Sequence, residues 1–128
     1  MTTTAVAFSN DGKMLTAGNS EGSMRLWDVE SGQLRGSFKG HTDAIHSLAF
    51  SPDSQRLAAG SDDRQAVKLW DIQGLQELVT LRGEGTVFSE THFSPDGNLL
   101  GSMNYKGVLH VWRAPSWAEI EATERTGL

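Results

Sequence analysis

One segment is written three times in this chain. The turn Phe8-Ser9-Asn10-Asp11-Gly12 returns as Phe50-Ser51-Pro52-Asp53-Ser54 and as Phe93-Ser94-Pro95-Asp96-Gly97, at spacings of 42 and 43 residues. Downstream, Leu26-Trp27-Asp28 returns as Leu69-Trp70-Asp71 and as Val111-Trp112-Arg113, at spacings of 43 and 42. A tandem unit of this size buries its faces only against its neighbours. The middle copy has two neighbours and each outer copy has one. A chain of 128 residues would otherwise be read as one ordinary domain. Here it is an arc with two flanks to cover.

Strand periodicity dominates within each copy, and turn residues recur every 8–12 residues or so. In the second copy the pattern predicts strands at Ala44–Phe50, Arg56–Gly60, Ala66–Ile72 and Glu77–Leu81. In the first it predicts Thr3–Phe8, Lys13–Gly18, Ser23–Val29 and Leu34–Phe38. In the third it predicts Thr86–Phe93, Asn98–Met103 and Val108–Trp112. Strand side chains alternate between faces. Met24 and Leu26 therefore oppose Arg25 and Trp27, Val67 and Leu69 oppose Lys68 and Trp70, and Leu109 and Val111 oppose His110 and Trp112. Both faces carry apolar mass, as a sheet stacked between two neighbours requires and a sheet with one wet face does not. The pattern favours a radial stack of antiparallel sheets, all-β, over a sandwich.

The residues that follow Trp112 depart from the repeat. Ser116 with Glu119 three positions on has the spacing of a capping box, and Ala, Glu and Arg favour helix. A short helix over 116–125 is expected, leaving the last sheet three-stranded. Alternation of Ala118, Ile120 and Ala122 with Trp117, Glu119 and Glu121 keeps a fourth strand open.

The three copies resemble the WD-repeat β-propeller family over residues 3–113. The marks are the Phe-Ser-x-Asp turn, the Trp near the end of the third strand, and Gly40-His41 before the inner strand. The resemblance implies three propeller blades, at about 2–40, 41–83 and 84–115, with a tail at 116–128. Closed propellers usually have about 4–8 blades. Three cannot close a ring, so the arc is expected to close by oligomerisation: a dimer with six blades, or a trimer with nine. The ending Trp112-Arg113-Ala114-Pro115-Ser116 resembles the last repeat of propellers in large bacterial signalling proteins, which implies the C-terminal part of a longer ring. The resemblance also implies a tetrad of His, Asp, Ser or Thr, and Trp. His41, Asp63 and Trp70 match in copy two, with Ala59 at the hydroxyl place and Ser61 near it. Glu21 stands at the Asp place of copy one and Lys106 at that of copy three. Trp27, Trp70, Trp112, Phe8, Phe50 and Phe93 are expected to pack between blades. The implied role is a non-catalytic scaffold for protein partners. The alternative is ligand binding or catalysis in the central channel.

Chemistry weighs against an enzyme. His41, Asp63 and Ser61 have no Gly-x-Ser-x-Gly elbow and no oxyanion site around them. Asp62 and Asp63 adjoin in a turn and point apart. His41, His46, His92 and His110 lack ligand spacing, and Gly83-Glu84-Gly85 places an acidic residue where a phosphate would sit. Neither metal nor cofactor is expected. With 11 basic and 16 acidic residues the net charge is −5, which disfavours a nucleic-acid partner. No apolar run reaches ~18 residues, so no membrane partner is expected. Cysteine is absent, which removes disulfides and thiolate metal sites. Met1-Thr2-Thr3-Thr4 lacks the basic start and apolar core of a signal peptide. The expected location is the cytoplasm.

Overall fold

The computed structural model describes residues 2–41, 43–62, 66–83 and 87–113. They form eleven strands and no helix. The first sheet holds β1 (Thr3–Phe8), β2 (Met14–Asn19), β3 (Ser23–Asp28) and β4 (Leu34–Lys39). The second holds β5 (Ser47–Phe50), β6 (Arg56–Gly60), β7 (Val67–Asp71) and β8 (Gln76–Leu81), and the third β9 (Phe88–Phe93), β10 (Leu99–Asn104) and β11 (Leu109–Arg113). Each sheet is an antiparallel meander in chain order. The expected helix at 116–125, its capping pair and Trp117 lie outside the described residues, as do Asp63 and the Glu84-Gly85 pair.

One turn design starts every sheet. The Ser9 hydroxyl donates to Asp11 Oδ1 at 2.6 Å and accepts the Met14 amide at 3.0 Å. Asp11 Oδ1 also accepts the Lys13 amide at 2.9 Å. Ser51, Asp53, Gln55 and Arg56 repeat these bonds, as do Ser94, Asp96, Asn98 and Leu99. This satisfies the backbone of a tight turn with side chains from within it. Gly12 and Gly97 take left-handed φ values of 72° and 77° there, and Ser54 accepts the same geometry at 62°.

The inner strand of copy two is shorter than expected. β5 begins at Ser47, because Ala44 and Ile45 are drawn into other contacts, while the His46 amide still donates to the Gly60 carbonyl of β6 at 2.8 Å. The Ile45 amide donates to Asn19 of the preceding sheet at 3.0 Å, and the carbonyl of Ala44 accepts the Ser61 hydroxyl.

The sheets stack face to face, with β5 lying beside both β1 and β9. Met14, Met24 and Leu26 of the first sheet bury against Leu57, Ala59, Trp70 and Ile72 of the second, around Ile45. The other face of the second sheet, Ala58, Val67 and Leu69, buries against Phe88 and Leu100 of the third, with Trp112 alongside. The core is therefore two slabs between sheets. The stack has a polarity that alternation alone left open: the Leu/Val face of each sheet meets the Trp face of the next.

Candidate functional site

The tetrad residues that the structure describes lie at the junction of the first two sheets. His41 is buried, and its Nε2 lies 3.1 Å from the carbonyl oxygen of Ala59. Its ring meets the edge of Trp70 at a centroid distance of 5.7 Å. Trp70 also tilts against Phe38 at 5.6 Å. Position 59 carries a methyl group, so the imidazole is held by backbone where the family's tetrad uses a hydroxyl. Ser61 turns away and donates to the Ala44 carbonyl at 2.6 Å. Asp62 pairs with His46 at 2.9 Å. His41 and Ser61 thus have structural partners and form no nucleophile pair.

Sequence reading missed two polar sets. The hydroxyls of Ser47, Thr91 and Ser102 form a buried chain across the second junction. Ser47 donates to the Phe88 carbonyl at 2.7 Å and Ser102 to that of Glu90 at 2.8 Å. Thr91 sits between them, 2.6 Å from Ser47 and 3.1 Å from Ser102. The available signal was a hydroxyl at a core-facing position of each strand. Lys68 is the second case. It lies on the buried Trp face, and its Nζ donates to Glu77 at 3.0 Å and Thr80 at 2.9 Å on the next strand.

The inner strands leave a shallow groove lined by Thr4, His46, Ser47, Ser89, Glu90 and His92. Its histidines are committed to Asp62 and to Glu90. Among the described residues no cluster of His, Asp and Glu could hold a metal ion.

The apolar residues without cover lie on the two outer flanks. On the first sheet Phe8 is 64% exposed, with Val6, Leu34 and the half-buried Trp27 nearby on the same face. Phe8 was expected to pack between blades; in this arc it lies on an outer flank that no sheet of the described residues covers. Its counterparts Phe50 and Phe93 face a preceding sheet, while Phe8 and Trp27 lie on the face of the first sheet away from the second. On the third sheet Leu109 and Val111 are 59% and 58% exposed, beside Leu99 and Met103. Their counterparts Val67 and Leu69 are fully buried.

The turns and the buried histidine set an acid response. Hydrogen bonds from Ser9 and the Lys13 amide lower the Asp11 pKa below its ordinary 3.8, and Ser94 and the Asn98 amide do the same for Asp96. For Asp53, burial pushes upward, but the Ser51 and Gln55 bonds prevail and the net shift is again downward. Burial lowers the His41 pKa below its ordinary 6.5. Both kinds of shift mean that the unfolded chain binds more protons. The His41 contribution is present above pH 6.5 and is lost as pH falls below it. The aspartate contribution is present above pH 3.8 and is lost as pH falls through the lower folded values. Urea midpoints measured from pH 8 to 3 are expected to fall in two stages, and His41→Ala to abolish the upper one. A midpoint flat from pH 8 to 5 in the parent protein would contradict this account of His41.

Stacked antiparallel meanders of this period, two of four strands and one of three among the described residues, with innermost strands side by side, define a β-propeller arc. Over residues 1–71 the chain is similar to the WD-repeat β-propeller family. The family described as "WD domain, G-beta repeat" matches residues 32–71, and the "Anaphase-promoting complex subunit 4 WD40 domain" matches residues 1–51. The solved "Structure of U3-55K" superposes with a TM-score of 0.81 at 24% identity, covering 93% of this chain and 37% of that one. Among curated relatives, U3 small nucleolar RNA-associated protein 15 homolog of Gallus gallus is 42% identical over 53 residues, 41% of this chain and 10% of the relative. Superkiller complex protein 8 of Dictyostelium discoideum is 40% identical over 58 residues, 45% of this chain and 19% of the relative. The chain thus spans a fifth or less of these curated relatives.

Proposed function

We propose that the chain is a non-catalytic protein-interaction scaffold in the cytoplasm, a half-propeller whose ring is completed by further blades. Those blades come from a second copy or from an N-terminal half. The observation that carries this reading is the pair of exposed flanks. Phe8 and Trp27 at one end, and Leu109 and Val111 at the other, reproduce the two faces that bury each other inside the arc. Apolar patches of this kind mark interfaces. The net charge of −5 favours protein over nucleic acid as the surface held. A relative named for a complex, Superkiller complex protein 8, fits a scaffold role. Light scattering over a range of concentrations tests closure by self-association. The expected result is a compact particle of two chains. A stable, folded species of one chain mass at micromolar dilution would overturn that route.

A further inference from the structure

The side chains of the groove on the innermost strands carry protons, but those protons are already spent on the protein. The Thr4 hydroxyl donates to the carbonyls of Ile45 and Gly18. An ionised carboxylate only accepts. His46 and His92 therefore each carry a proton on Nε2, which Asp62 and Glu90 accept at 2.9 and 3.0 Å. In a neutral ring the other nitrogen, Nδ1, is then an acceptor.

The two buried hydroxyls that line the groove, Ser47 and Thr91, follow the same rule. With Ser102 behind them they bring three hydroxyl protons to four contacts. These are the Phe88 carbonyl, the Glu90 carbonyl and the two contacts between hydroxyls. Each hydroxyl has one proton, so none is left over for a ligand. The exposed Ser89 hydroxyl turns to suit whatever faces it.

Charge agrees with this inventory. No Lys or Arg lines the groove, whereas Glu90 does and Asp62 stands behind His46. A carboxylate accepts up to about four hydrogen bonds, and each of these two takes one from its histidine. The groove's volume of about 240 Å³ falls below the roughly 300–1,000 Å³ of pockets for drug-sized ligands. It suits the end of one side chain. Every lining residue lies on or beside β1, β5 and β9, so the site is built from this chain alone.

We propose that this groove receives the cationic side chain of an arginine or lysine in a basic segment of a protein partner. Guanidinium and ammonium groups bring several donors, no acceptor and a positive charge, the complement of what the groove offers. An acidic side chain would set lone pairs against lone pairs. The proposal rests on the scaffold reading above and adds the chemistry of the partner and its point of entry.

Blocked pentapeptides with arginine, lysine, citrulline or glutamate between glycines, titrated into the full chain, test it through the ring resonances of His46 and His92 in NMR spectra. Saturable shifts are expected with arginine or lysine, and none with glutamate. Citrulline keeps the shape of arginine without its charge and is expected to bind at least roughly tenfold more weakly. Glu90→Gln and Asp62→Asn, each checked by circular dichroism for its strand signal, are expected to weaken arginine binding at least roughly tenfold. Glu30→Gln, in the turn between β3 and β4, is expected to leave it unchanged. Equal losses in all three variants would show attraction to the net charge of −5 and overturn the site, as would equal shifts from all four peptides or none from arginine and lysine. A displayed library of random peptides separates the two readings. Binders that lack a basic residue, or that shift neither histidine, overturn the groove and leave the scaffold standing. A library without binders overturns both.

Discussion

Trp70→Ala is expected to be the most damaging of the single aromatic truncations, at about 3–5 kcal/mol. Trp70 is only 2% exposed and belongs to the slab between the first two blades. Its indole touches Phe38 and His41 and lies so close to Gly40 that no Cβ fits there. Removing it leaves a cavity bounded by two sheets, and the backbone of neither can collapse into it freely. His41→Ala is expected to cost less, about 1–3 kcal/mol, through the lost bond to the Ala59 carbonyl. Chemical denaturation of both variants decides the order. Equal or reversed losses would mean that the polar network around His41 holds the junction more than packing does.

The second large effect is expected at Gly22, with Gly107 as its internal control. The two glycines end matching turns, Asn19-Ser20-Glu21-Gly22 and Asn104-Tyr105-Lys106-Gly107, in which the Asn side chain accepts two amides. Their φ values are 85° and 84°. A non-glycine residue there costs about 1–2 kcal/mol from backbone conformation alone. At Gly107 nothing lies within 4 Å of an added Cβ, so Gly107→Ala should cost only that. At Gly22 the added atom would strike the His41 carbonyl and come within 2.7 Å of that of Asp43. Both belong to the next blade's loop and to backbone that cannot swing aside. Gly22→Ala should therefore lose a further ~1–3 kcal/mol. Urea curves with unchanged slopes would give the difference directly. Equal losses would show that the loop at His41 yields, and that the rim does not fix blade spacing.

Much of the architecture was legible because it rests on local chemistry. Ser9, Ser51 and Ser94 each need an Asp two residues on to close the turn, so the motif announces itself wherever it occurs. The Trp strands were equally plain. The facing of the arc was not legible, since alternation assigns Arg25 and Trp27 to one side without saying which side meets a neighbour. That choice is made by tertiary packing, which puts Phe8 and Trp27 on an outer flank of the arc and their counterparts Phe50 and Trp70 inside it. Lys68 was opaque for a related reason: a cation on the buried face is tolerated only because Glu77 and Thr80 reach it from the next strand. The inner strand of copy two was drawn too long because the apolar run Ala44-Ile45 looks like strand. Its backbone bonds instead to the preceding blade and to Ser61.

The meander topology carries a consequence in time. Within each sheet, every strand after the first pairs with the strand made just before it, so a sheet can form as soon as its own forty or so residues have left the ribosome, and nothing downstream is needed to begin. The blade of residues 3–39 is therefore complete while the chain is still growing, and its Met24–Leu26 face waits only for the second blade to arrive. Its Trp27 face meets neither of the sheets that follow. Successive blades of one chain deliver the two halves of a slab in order and at high effective concentration; the cover of the Trp27 face is not delivered by the blades that follow it.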